Sequence, residues 1–113
     1  PIQKLGRLSV QLWRAGRVIL DVKLHCQGMS VDSAVDFLVN KCRLEKDDAR
    51  TEVIRYTTPA TQPQSYLMGK REITKIIEDY RLKSPELSLQ ELHDNILKAG
   101  SLPPELLRKN LEL

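Results

Sequence analysis

Residue types that could do chemistry gather at one break in the chain, Arg55-Tyr56-Thr57-Thr58-Pro59-Ala60-Thr61-Gln62-Pro63-Gln64-Ser65-Tyr66. A phenol, with a reference pKa of about 10, stays protonated at neutral pH and donates a hydrogen bond. A guanidinium grips a carboxylate through two parallel N–H bonds. A second constellation lies upstream, where Arg14, Arg17, Asp21 and His25 recur at helical spacing and so stack on one face. On that face Asp21 can orient the imidazole of His25, whose tip then reaches a substrate cleft. Each group also has a purely structural reading: a kinked helix pair with two buried tyrosines, and a buried ion-pair line that fixes helix register. His93-Asp94 is an acid–base pair only on paper, because adjacent residues on a helix do not face each other.

The elements that must position these groups read as helices throughout, giving an all-α fold of about six helices in a bundle. Residues 2 to 26 form the first, with Ile2, Leu5, Leu8, Leu12, Ala15, Ile19 and Val22 in one stripe and Val10, Trp13, Val18 and Leu20 on a second side. A helix apolar on more than one face calls for burial on more than one face. Gly28 ends it and Ser30 caps the next, which buries Val31, Ala34, Val35, Leu38 and Val39. Leu44 to Asp48 reads as a connection, followed by a helix carrying Ala49, Val53 and Tyr56 inward, with Arg50 and Glu52 in water. Pro59 disfavours helix at Thr58. Thr61 with Gln64 fits a capping box, and Pro63 falls in the first turn of a long helix ending near Lys83-Ser84-Pro85. Tyr66, Gly69, Ile73, Ile76, Ile77 and Tyr80 share a face of that helix. Ser88 with Glu91 opens a fifth helix through Leu89, Leu92, Ile96 and Leu97. Gly100 stops it, Ser101 caps the last, and Leu106 and Leu107 drive it.

The central block also carries a resemblance. Arg55-Tyr56 followed by Pro59-x-Thr61-Gln62-Pro63-x-Ser65-Tyr66-Leu67-x-Gly69-Lys70 resembles the C-terminal region of a large family of bacterial proteins filed as a domain of unknown function. Upstream, Arg17-Val18-Ile19-Leu20-Asp21-Val22-Lys23-Leu24-His25 looks like that family's Arg-x-x-x-Asp-x-Gly-x-His segment, with Lys23 where glycine is usual. Downstream, Leu92-His93-Asp94 and Gly100-Ser101-Leu102-Pro103 resemble its closing elements. The family is similar to the helical zinc metallopeptidases called gluzincins. The resemblance implies a bacterial parent, compatible with an exported or lipid-anchored one, that holds zinc and cleaves peptides. It implies catalytic roles for Tyr66 first and Tyr56 second, as donors to the developing oxyanion. It also implies peptide contacts from Arg55, Gln62, His25 and Asp21.

Composition bounds these readings. At 113 residues the chain is one domain's worth, long enough to bury roughly two-thirds of its unfolded surface. Opening at Pro1 and passing straight into helix, it reads as a single helical domain forming the C-terminal segment of a longer parent. No H-E-x-x-H occurs, and His25 and His93 are not at zinc-ligand spacing, so this segment is expected to hold no metal or other cofactor and to be inactive alone. Eighteen basic against fifteen acidic residues, with one Trp, three Tyr and one Phe, give little support for nucleic-acid binding. Cys26 and Cys42 have neither metal nor redox spacing. No apolar run approaches the ~20 residues of a membrane helix, so no membrane insertion is expected. The two-sided apolar first helix predicts self-association, and a helical protein-protein interaction module is the alternative function.

Overall fold

The computed structural model describes residues 1–113 and contains six helices and no strand: α1 (Ile2–Cys26), α2 (Val31–Cys42), α3 (Lys46–Tyr56), α4 (Gln62–Lys83), α5 (Leu89–Lys98) and α6 (Pro104–Asn110). The all-α expectation holds. The chain forms two compact units, Pro1–Leu67 and Met68–Leu113.

In the first unit, α1 ends where Gly28 takes a left-handed turn (φ 65°) and the Met29 N–H reaches back to the Lys23 carbonyl at 3.0 Å. Ser30 caps α2 by accepting from the Ser33 N–H at 3.2 Å. Asp32 in the first turn and Lys41 in the last complement the helix dipole. The core is Leu20 from α1, Ala34, Val35, Leu38 and Cys42 from α2, and Ala49, Val53 and Tyr56 from α3. Fully burying a side chain such as Leu20 or Leu38 contributes about 1.5–3 kcal/mol. Helices α1 and α2 pack closely at Gly16, where an added Cβ would stand 2.5 Å from the Cys42 sulfur.

The face that α1 buries is not the stripe that periodicity selects. Gly16, Arg17, Leu20 and Asp21 are buried, with Trp13 and Leu24 packed beside them, while Ile2, Leu5, Leu8, Leu12, Ile19 and Val22 are exposed. Counting apolar residues picks the wrong side because two charged side chains occupy the inward positions. Helix α3 begins at Lys46 rather than after Asp48, since Asp47 and Asp48 suit a first helical turn by their charge. Glu52 is largely buried, not in water, because it accepts from the Tyr56 hydroxyl.

In the second unit, Ile76, Leu107 and Leu111 form a small core with Ile73, Tyr80 and Ile96 against it. The Ser88–Glu91 capping box is complete: the Ser88 hydroxyl accepts from the Glu91 N–H, and the Glu91 carboxylate accepts from the Ser88 N–H. The Ser88 hydroxyl, which also donates to that carboxylate at 2.7 Å, and then the Ser88 backbone N–H hold the Glu91 carboxyl below its ordinary range. Only part of the predicted apolar set is used, as Leu92 is buried while Leu89 and Leu97 are exposed. Gly100 stops α5 with φ 76°. Ser101 does not cap α6; Pro103 holds that position and Pro104 opens the helix, and Leu107 turns inward while Leu106 does not.

Candidate functional site

Within the Pro1–Leu67 unit, the middle of α1, the end of α3 and the start of α4 bring Tyr56 and Tyr66 together around Arg17, to which the sequence assigns no role in substrate binding. Its residue is only 6% exposed. The guanidinium carbon lies 4.7 Å from the centroid of the Tyr66 ring, 5.2 Å from that of Tyr56 and 5.9 Å from that of Trp13. All three are within cation–π range. Arg14 also stands over Tyr66, at 5.7 Å, and Arg55 over Tyr56, at 5.9 Å. Three arginines and two tyrosines therefore form one cationic, aromatic cluster.

Tyr56 is fully buried at the last position of α3. Its hydroxyl accepts from the Trp13 indole N–H at 2.9 Å and donates to the Glu52 carboxylate at 2.8 Å. Burial first, and the Glu52 hydrogen bond second, push the phenol well above its ordinary range. Tyr56 thus remains a protonated donor whose proton is already engaged. Arg55 binds the same Glu52 carboxylate, with more than half of its side chain exposed.

Tyr66 is different, being 49% exposed, with one face on the Arg17 guanidinium. Gln62 is exposed at the first position of α4. The turn before it is built otherwise than a capping box would build it. Thr61 takes a left-handed φ of 72°, outside the extended geometry of an N-cap, and its backbone N–H donates to Asp21 Oδ1 at 3.1 Å. Asp21, 3% exposed, is the anchor that fixes the Thr61 turn on α1.

His25 Nε2 lies 2.9 Å from the Tyr56 carbonyl oxygen. A carbonyl only accepts, so Nε2 carries the proton and the ring closes an unpaired carbonyl at the end of α3. Asp21 Oδ1 is 3.6 Å from the same nitrogen, close enough for attraction but longer than a hydrogen bond. The upstream face and the central break are thereby one connected patch.

Two buried groups in this patch are open. Arg17 Nε and Nη2 and Asp21 Oδ2 have no hydrogen-bond partner. Sequence reasoning places Arg17 in the polar seam of α1 without a ligand role, and gives Trp13 and Glu52 no part in this site. The i, i+4 spacing of Trp13, Arg17 and Asp21 is the available signal, but nothing local distinguishes an inward arginine from a solvated one. No group of three or more His, Cys, Asp or Glu is placed to hold a metal ion. No helix is long and apolar enough to cross a membrane.

No curated protein and no solved structure matches the chain. A family model described as "Bacterial protein of unknown function (DUF885)" matches residues 1–111, nearly the whole length, and the chain belongs to that family.

Proposed function

We propose that this chain is the C-terminal helical, substrate-binding segment of a zinc metallopeptidase-like hydrolase and that it supplies contacts to a bound peptide. The observation that carries the reading is Tyr66, a half-exposed phenol seated on a buried guanidinium, inside a patch that also holds Tyr56, Arg55, His25 and Asp21. A ring held on a fixed cation has a restricted orientation, which a hydrogen-bond donor needs if it is to meet charge developing on a carbonyl oxygen. Tyr66 is accordingly the donor to the oxyanion. Tyr56, engaged with Trp13 and Glu52, acts behind it by holding the Arg17 side chain in place. Gln62 and Arg55 are exposed, and in this reading they meet peptide backbone and side-chain carboxylates.

No group of three or more His, Cys, Asp or Glu in this chain is placed to hold a metal ion. The parent's zinc is held by other residues, and the contacts made by Tyr66, Tyr56, Gln62 and Arg55 do not run through it. Metal analysis and peptide hydrolysis by the parent test the proposal. Stoichiometric zinc and hydrolysis abolished by a chelator are expected, while the 113-residue chain alone binds zinc no better than a surface histidine does. A parent without bound metal and without hydrolytic activity would refute it.

One observation favours a second reading, a helical interaction module. Ile2, Leu5, Leu8 and Leu12 expose 46–87% of their surface along the first turns of α1.

A further inference from the structure

The Arg17 guanidinium is a charged group, more than nine-tenths buried, with two unpaired N–H groups. Leaving such donors unsatisfied is costly, more so for a charged group than a neutral one. The rings of Trp13, Tyr56 and Tyr66 lie around the cation, but a ring gives no in-plane acceptor. The two open atoms, Nε and Nη2, are not a random pair. They form one side of the planar guanidinium, the side on which two parallel N–H bonds meet the two oxygens of a carboxylate. The nearby anions are taken: Glu52 holds Tyr56 and Arg55, and Asp21 Oδ1 holds the Thr61 N–H. Asp21 comes within ion-pair distance of His25, not of Arg17.

We propose that the Nε and Nη2 edge of Arg17 binds a carboxylate of the kind carried by the C-terminal end of a peptide, and that the Tyr66 ring is its cover. Tyr56 is fully buried and Trp13 partly so, whereas Tyr66 is half-exposed, so the solvent side of the cluster is the Tyr66 side. A rotation of that one side chain admits the carboxylate to the edge, after which the ring closes back on the guanidinium face in the orientation that the proposed function requires. The ligand is a monoanion rather than a phosphate dianion, because Asp21 lies one helical turn away with an unpaired carboxylate oxygen and repels additional negative charge. The same Oδ2 is open to a donor, which the backbone N–H of a terminal residue provides. This inference deepens the proposed function and rests on the reading that this face meets a peptide.

The test is a titration of the 113-residue chain with N-acetyl-alanyl-alanine and with its C-terminal amide, followed by NMR at the Arg17 side-chain Nε–H. The acid should move that signal and raise Tm, and the amide should do neither. Arg17→Lys keeps the charge but loses the planar edge, and should weaken binding of the acid by about tenfold or more. Because the signal is read on the unaltered protein, a variant that folds poorly leaves the test intact. Tyr66→Ala, which removes the cover, should retain the response. An Arg17 signal unmoved at saturating acid, an equal response to the amide, or tighter binding of inorganic phosphate would each overturn the proposal. Carboxylate binding in a parent that hydrolyses nothing would leave the site standing and remove the hydrolase reading. Hydrolysis without any carboxylate response would do the reverse.

Discussion

Tyr56 shows how a residue chosen for its chemistry can also be a keystone of packing. Its ring is fully buried and its hydroxyl joins Trp13 on α1 to Glu52 on α3. Tyr56→Phe removes that oxygen and leaves the Trp13 N–H without its partner, so a loss of about 1–3 kcal/mol of stability is expected by chemical denaturation. Its pH dependence has a definite sign. The folded phenol titrates above the unfolded one, so the neutral form is favoured in the fold. The contribution is therefore whole below about pH 10, where unfolded tyrosine titrates, and is lost as pH rises through the window up to the folded value. The stability difference between Tyr56→Phe and the unaltered chain should shrink as pH rises through that window; a constant gap would contradict the burial argument. That Tyr56 points inward is legible from its spacing with Ala49 and Val53. Its partner Glu52 is not, because a glutamate's default place is water and only tertiary context reverses it.

At the scale of elements, helix ends with a local chemical cause are readable and those set by distant contacts are not. Ser30, Gly28, Gly100 and the Ser88–Glu91 box act through bonds or dihedrals within a few residues, and each appears as expected. Thr61 does not cap, because its backbone is held by Asp21, forty residues earlier in the chain. The inward face of α1 is hidden for a related reason. Its contacts are made through Gly16, which contributes no hydrophobicity, and through Arg17 and Asp21, which count against burial. Gly16 gives the sharpest prediction. Ala at this position adds about 1 kcal/mol of helix propensity, but its Cβ would stand 2.5 Å from Cys42 Sγ. Overpacking costs about 1–3 kcal/mol, so Gly16→Ala should lower stability on balance. In a Cys42→Ala background the clash is gone, and the same change should be neutral or stabilising. A Gly16→Ala protein as stable as the unaltered chain, with no coupling to Cys42, would contradict the close crossing of α1 and α2.

For the molecule as a whole, family membership and the all-α class are legible, the first from an ordered set of motifs and the second from periodicity and caps. The arrangement around Arg17 is not, since it depends on three rings from three helices meeting one side chain. The exposed apolar residues at the start of α1 carry a further expectation. Surfaces of this kind beyond a few hundred Å² tend to find partners, so the isolated chain should self-associate, with a mass that rises with concentration in light scattering. Leu5→Lys and Leu8→Lys should reduce that association without changing helicity. A strict monomer at high concentration would count against it. Whether the Tyr66 face serves catalysis in the parent is decided by kcat and KM of Tyr66→Phe, measured beside its thermal unfolding. The ring and its contact with Arg17 remain, and only the hydroxyl is removed. Losing one oxyanion donor costs about 2.7–4 kcal/mol of barrier, so kcat and kcat/KM should fall together by about 10² to 10³, with KM and Tm nearly unchanged. Turnover preserved in Tyr66→Phe, with or without a loss of stability, would contradict it.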